Sequence, residues 1–152
     1  MNLNQKETEL LKDLKDAEQL IAGKYEKAAQ CAADPQLKTL FQNIAENERK
    51  HFDALNTIGS GTVPVENGSS VQPDAQQTFK AVYTGESQQK KDDCFLCTDL
   101  LAGEKQSSHL YDTCVFEFRD AKVRETLNAI QRQEQEHGKM LYDYMKTNSM
   151  YS

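Results

Sequence analysis

The sequence predicts an all-α protein: a four-helix bundle of two helical hairpins, related by a pseudo-two-fold axis, with a long crossover between helices 2 and 3. Three observations predict it. Apolar residues recur at alternating steps of three and four along four segments. No window sustains the period-two alternation of a half-buried strand. The first hairpin also repeats in the second. A shift of 86 positions lays Leu10 on Leu96, Asp13 on Asp99, Leu14 on Leu100, Tyr25 on Tyr111, Asp34 on Asp120, Ile44 on Ile130 and Leu55 on Leu141, without a gap.

The elements follow in order. Residues 4–33 carry a helical pattern that only Gly23 weakens. Asp34-Pro35 breaks it and opens helix 2, because Asp caps a helix well and Pro suits its first position. Helix 2 runs over 35–58 and stops at Gly59-Ser60-Gly61. The connection 59–87 holds Pro64, Pro73 and the turn signal Asn67-Gly68-Ser69, with a short helical piece expected around Asp74 to Val82. Helix 3 is expected over 88–119 and helix 4 over 121–146, with Asp120 as its cap.

At 152 residues the chain is expected to form a single domain, 1–152. Lys and Arg number 18 against 24 Asp and Glu, a net charge of −6, and no dense basic run is present; nucleic acid is not the expected partner. No stretch approaches the roughly 20 apolar residues of a membrane span. The polar start MNLNQKETELLKD predicts no secretory signal. Cys31, Cys94, Cys97 and Cys114 read as free thiols of a reducing cytosol, with Cys31 and Cys114 as small packing residues.

The core seam of each helix can be read by the same three–four steps. Helix 1 gives Leu11, Leu14, Glu18, Ile21, Tyr25, Ala28 and Ala32; helix 2 gives Leu37, Phe41, Ile44, Glu48, His51, Leu55 and Ile58. Helix 3 gives Cys97, Leu100, Glu104, Ser107, Tyr111, Cys114 and Phe118; helix 4 gives Val123, Leu127, Ile130, Glu134, His137, Leu141 and Tyr144. Apart from Glu18, Glu48, His51, Glu104, Glu134 and His137, every position is apolar, small or aromatic. An ion removed from water is costly unless paired or bound to metal. Four facing carboxylates would repel and take up protons, whereas two divalent cations would cancel their charge. In Glu48-Arg-Lys-His51 and Glu134-Gln-Glu-His137 the i and i+3 side chains share a helix face. Two such helices, with one Glu from each of the other two, supply the ligands of a carboxylate-bridged dimetal site. One Glu-x-x-His is a weak signal; both copies at one offset, each with a partner Glu, are a strong one. The competing reading is an inherited seam that now holds waters, protonated carboxylates or Glu–His hydrogen bonds.

On the dimetal reading Glu48 and Glu134 bridge, Glu18 and Glu104 are terminal ligands, and His51 and His137 each bind one ion. The mixed O/N donors suit Fe or Mn, with Zn left open. Tyr25 and Tyr111 are candidates to hydrogen-bond the ligands or supply an electron; the plainer reading is a core tyrosine with its hydroxyl satisfied. His109 lacks the motif and reads as a surface residue. Cys94-Phe-Leu-Cys97 is a lone Cys-x-x-Cys, read as seam and neighbour before redox pair. The runs 90–93 and 132–136 read as solvated faces, apart from Glu134.

The stretches 34–41 (DPQLKTLF), 44–51 (IAENERKH) and 133–138 (QEQEHG), with the ending YDYMK, resemble the spore coat protein F family of the ferritin-like superfamily. The resemblance spans nearly the whole chain outside residues 59–88. It implies a ferritin-like bundle with a left-handed crossover between helices 2 and 3, and carries the ligand pattern onto all six seam residues. No fifth helix of the cage-forming kind is expected, and no paired Cys-x-x-Cys module of the rubredoxin kind. Coat F proteins are named for a place in the spore rather than for a reaction. Two functions are therefore expected in parallel. One is a dimetal protein oxidising Fe(II), or reacting with oxygen or peroxide. The other is a structural spore-coat protein with a vestigial site, whose partners are other coat proteins or a second copy of itself. The expected location is the cytoplasm or the spore coat.

Overall fold

The computed structural model describes residues 1–64 and 78–151. They form four helices, α1 (Gln5–Cys31), α2 (Pro35–Gly59), α3 (Gln88–Glu117) and α4 (Ala121–Thr147), and no strand. Each helix starts on a side-chain cap. Asn4 and Glu7 form a reciprocal capping box, Asp34 accepts from Gln36 N, Ser87 from Lys90 N, and Asp120 from Lys122 N and Val123 N. Each such cap is worth about 1 kcal/mol. α1 ends before residue 33 because Asp34 precedes a proline, which drives it to extended backbone (ψ 121°). α2 continues through Gly59, and the chain reverses at Gly61, whose φ of +86° suits a residue without a Cβ. The short helix expected around 74–82 lies partly outside the described residues, and residues 78–82 are not helical.

α1 packs on α2 and on α3, α3 on α4, and α4 more loosely on α2. The start of α3 meets the α1–α2 turn, because Asp93 accepts from Ala33 N (2.8 Å) and Asp34 N (3.1 Å). The start of α1 meets the α3–α4 turn, because Glu7 accepts from Arg119 N at 2.9 Å. The repeat thus reappears in three dimensions. Residues 7 and 93, and residues 33 and 119, are 86 apart, so each hairpin caps the turn of the other. The described flanks of the connection lie at opposite ends of the bundle. Val63 packs at one end, while Phe79 stands edge-on to Tyr144 at the other, with centroids 5.4 Å apart. Gln36 pairs with both backbone groups of Lys80, and Asn148 accepts from Val82 N, so this arm is fastened to the bundle.

In the charged run 90–93, Lys91 and Asp92 are exposed as expected of a solvated face, but Asp93 is fully buried and Lys90 nearly so. The reason is Asp93's capping role, completed by the Tyr83 hydroxyl at 2.5 Å. Cys31, at the end of α1, is exposed and does not pack the core, whereas Cys97 and Cys114 are buried. All seam residues of all four helices are buried. They divide into two apolar clusters, one around Tyr25, Phe41 and Tyr144 and the other around Leu14, Leu55 and Tyr111. Between them lies a polar layer.

At the start of α1, Glu7 pairs with Arg119 (3.1 Å). Its own burial would raise its pKa, but hydrogen bonds from the Arg119 side chain and from the Arg119 and Asn4 backbone pull it down to about 2. A carboxyl depressed in the folded state stabilises above its unfolded value and loses that contribution as pH falls through the folded one. Glu7→Gln should therefore lower stability at neutral pH by about 2 kcal/mol, measured by urea unfolding. The difference between variant and parent should vanish on acidification from pH 4.5 towards 2.

Candidate metal centre

The polar layer consists of Glu18 from α1, Glu48 and His51 from α2, Glu104 from α3, and Glu134 and His137 from α4. None is more than 3% exposed. Helical spacing puts each i, i+3 pair on one face, and the antiparallel neighbours bring the two motifs together: the imidazoles stack with centroids 5.9 Å apart. Donor atoms of Glu18, Glu48, His51 and Glu134 lie within 4.8 Å of one another, as do those of Glu48, Glu104 and His137. Glu48 belongs to both groups and Glu134 to one.

The hydrogen bonds cross between hairpins in matched pairs. The Tyr25 hydroxyl donates to Glu104 Oε1 (2.7 Å), and the Tyr111 hydroxyl to Glu18 Oε1 (2.5 Å). Both tyrosines are therefore partners of candidate ligands, and burial, followed by the facing carboxylate, raises both hydroxyl pKa values. His51 Nε2 lies 2.5 Å from Gln133 Oε1, and His137 Nε2 lies 2.8 Å from the Asn47 amide. Each imidazole thus turns Nδ1 to the carboxylates and Nε2 to the amide preceding the other motif. Sequence reading passed over Asn47 and Gln133, although they stand 86 apart and one residue before each Glu, so the repeat marks them. It also passed over the hydroxyls of Ser107 and Ser108, which donate to the two oxygens of Glu134 at 2.9 and 3.2 Å. His109 is exposed. Burial, then Asp93, pushes the Cys97 thiol up, the opposite of an activated thiolate.

Protonation shows how the layer balances its charge. Burial, then Glu18, Glu104 and Glu48, pushes Glu134 up to about 10. Burial, opposed by His137 and reinforced by Glu48, takes Glu104 to about 7. Burial alone would lower His137, but Glu104 and Glu48 hold it at about 9. His51 is raised in the same way, against its burial, by Glu18 and Glu48. Glu18 lies below its ordinary value because His51, Glu48 and Tyr111 outweigh its burial. Protons thus take the place of positive charge in the layer. Two buried carboxylate oxygens, Glu18 Oε2 and Glu104 Oε2, have no hydrogen-bond partner. They belong to the two residues that the repeat makes equivalent, one in each donor group. A hard or borderline divalent cation fits this donor set: four carboxylates, two neutral-capable imidazoles and two orphaned oxygens.

Comparison with known proteins bears on the fold. Residues 92–152, comprising most of α3 and all of α4, match the Coat F domain. No curated protein sequence matches the chain. Among solved structures, the chain is similar to the bacterioferritin-related protein from Bacteroides fragilis, described as a dodecameric thioferritin. The TM-score is 0.67 at 19% identity, covering 93% of this chain and 85% of that one. The fold is therefore that of a ferritin-like four-helix bundle, and its second hairpin is similar to the Coat F domain.

Proposed function

We propose that this protein is a ferritin-like metalloprotein that holds two divalent ions, Fe or Mn before Zn, in its central polar layer. The observation that carries the reading is the pair of buried oxygens on Glu18 and Glu104 that no hydrogen bond satisfies, each set among further carboxylate and imidazole donors. Glu48, which reaches both groups, would serve both ions; Glu18 with His51, and Glu104 with His137, would hold one ion each, and Glu134 would complete the set. When bound, a pair of redox-active ions supplies electrons to a small oxidant such as oxygen or peroxide. The chain's own part is to exclude water from the layer with the two apolar clusters on either side. Tyr25 and Tyr111 fix the terminal carboxylates, and Gln133 and Asn47 fix the imidazole rings. Ferrous ion is then the substrate if the protein oxidises iron.

The Coat F domain and the large apolar side chains left on the surface favour a second reading, a structural component of the spore coat. Phe116 is 90% exposed, Phe95 70% and Leu20 67%, all on α1 or α3. On that reading the chain binds little metal, its stability is indifferent to chelators, and it assembles through these faces.

Metal content separates the two. Protein purified without chelator should contain about two ions per chain by plasma mass spectrometry, and Fe(II) addition should consume oxygen. Glu104→Ala or His137→Ala should leave about one. Near-zero content with no gain on adding iron would favour the structural reading.

Binding should also be proton-linked. Ligation needs deprotonated carboxylates and neutral imidazoles, so the protons held by His51, His137 and Glu134 must leave. About three protons should be released per loaded chain, read by an indicator dye in weak buffer. Affinity should therefore rise with pH towards the Glu134 value of about 10.

A further inference from the structure

Glu48 and Glu134 stand at equivalent positions of the repeat, yet they are held differently. Glu48 lies between the imidazoles: Oε1 is 2.8 Å from His137 Nδ1 and Oε2 is 3.0 Å from His51 Nδ1. Glu134 lies against two hydroxyls, with Ser107 Oγ donating to Oε1 at 2.9 Å and Ser108 Oγ to Oε2 at 3.2 Å. The positions equivalent to these serines on α1 are Ile21 and Ala22, which have nothing to donate. Each terminal carboxylate has a tyrosine and each imidazole an amide, although Gln133 turns its oxygen to His51 and Asn47 its nitrogen to His137. Among the supports of the carboxylates, the serine pair breaks the symmetry. The outcome is visible in the donor groups. Four donors, three of them carboxylates, converge around Glu18, Glu48, His51 and Glu134, but only three around Glu48, Glu104 and His137.

We propose that Ser107 and Ser108 make the two half-sites unequal. A divalent cation loads first among Glu18, Glu48, His51 and Glu134, and a second binds more weakly among Glu48, Glu104 and His137. This deepens the dimetal reading and rests on it. The physical reason is local. For Glu134 to serve the second ion it must turn an oxygen away from a serine, giving up a hydrogen bond to a buried carboxylate where no bulk water replaces it. The first ion uses Glu134 as it stands and meets one more negative ligand. The first ion is therefore the resident one, and the second exchanges.

The test is a calorimetric titration of the full chain with Mn²⁺. The parent should show two steps separated by at least about tenfold, the worth of one charge-assisted hydrogen bond. In the Ser107→Ala/Ser108→Ala variant the weaker step should tighten by about tenfold while the tighter one moves less than about threefold. Glu18→Gln should abolish the tight step and Glu104→Gln the weak one. Ser108 is only half-buried, so Ser108→Ala alone, expected to shift the weak step in the same direction by less, serves if the double variant does not fold. Two equal steps in the parent, or a gap unchanged by the serine substitutions, would overturn the inference while leaving the dimetal reading intact. No Mn²⁺ binding by the parent would overturn both.

Discussion

Everything in this bundle is arranged around four carboxylates and two imidazoles held away from water. Ionised groups in such a place cost several kcal/mol each unless opposite charge meets them. The layer meets that demand with protons, on Glu134 and on both histidines, and with hydroxyl and amide partners drawn from other helices. Protons are an incomplete answer, because two oxygens remain without a hydrogen bond. A site that compensates its charge imperfectly when empty is one in which cations have something to gain.

The polar layer also dictates the shape of the core. Two apolar clusters flank it, and each mixes residues of both hairpins. Neither hairpin could shelter its own half-site, because the support always comes from the other: Tyr25 of the first holds Glu104 of the second, and Tyr111 holds Glu18. The same exchange occurs at the ends of the bundle, where Glu7 and Asp93 cap each other's turns.

Departures from symmetry are as informative as symmetry itself. A hydroxyl pair on α3 faces Glu134 where α1 offers an isobutyl-sized side chain and a methyl group, Ile21 and Ala22. Asp93 binds two backbone amides and a tyrosine, which draws a nominally surface charge into full burial. In both cases a small change of side chain redirects a network, because inside a low-dielectric core each donor has few alternatives.

The sequence by itself determined the all-α class, the two-hairpin repeat and the four seams, since helical periodicity and an 86-residue offset are properties of the chain alone. It also marked Glu18, Glu48, His51, Glu104, Glu134 and His137 as out of place on an apolar face, and all six are buried together. Which atoms face which was decided only by the tertiary structure. Seam reading orders residues along one helix, whereas hydrogen bonding depends on how two helices are rotated and staggered against each other. That is why the seam could mark Tyr25 and Tyr111 as candidates to hydrogen-bond the ligands but not which carboxylate each hydroxyl meets, which lies on the opposite hairpin. Asn47 and Gln133, beside the seam rather than on it, were invisible to a rule that counts only apolar steps. Asp93 looked solvated for the same reason: its backbone partners, Ala33 and Asp34, are remote in sequence and adjacent only once the bundle closes.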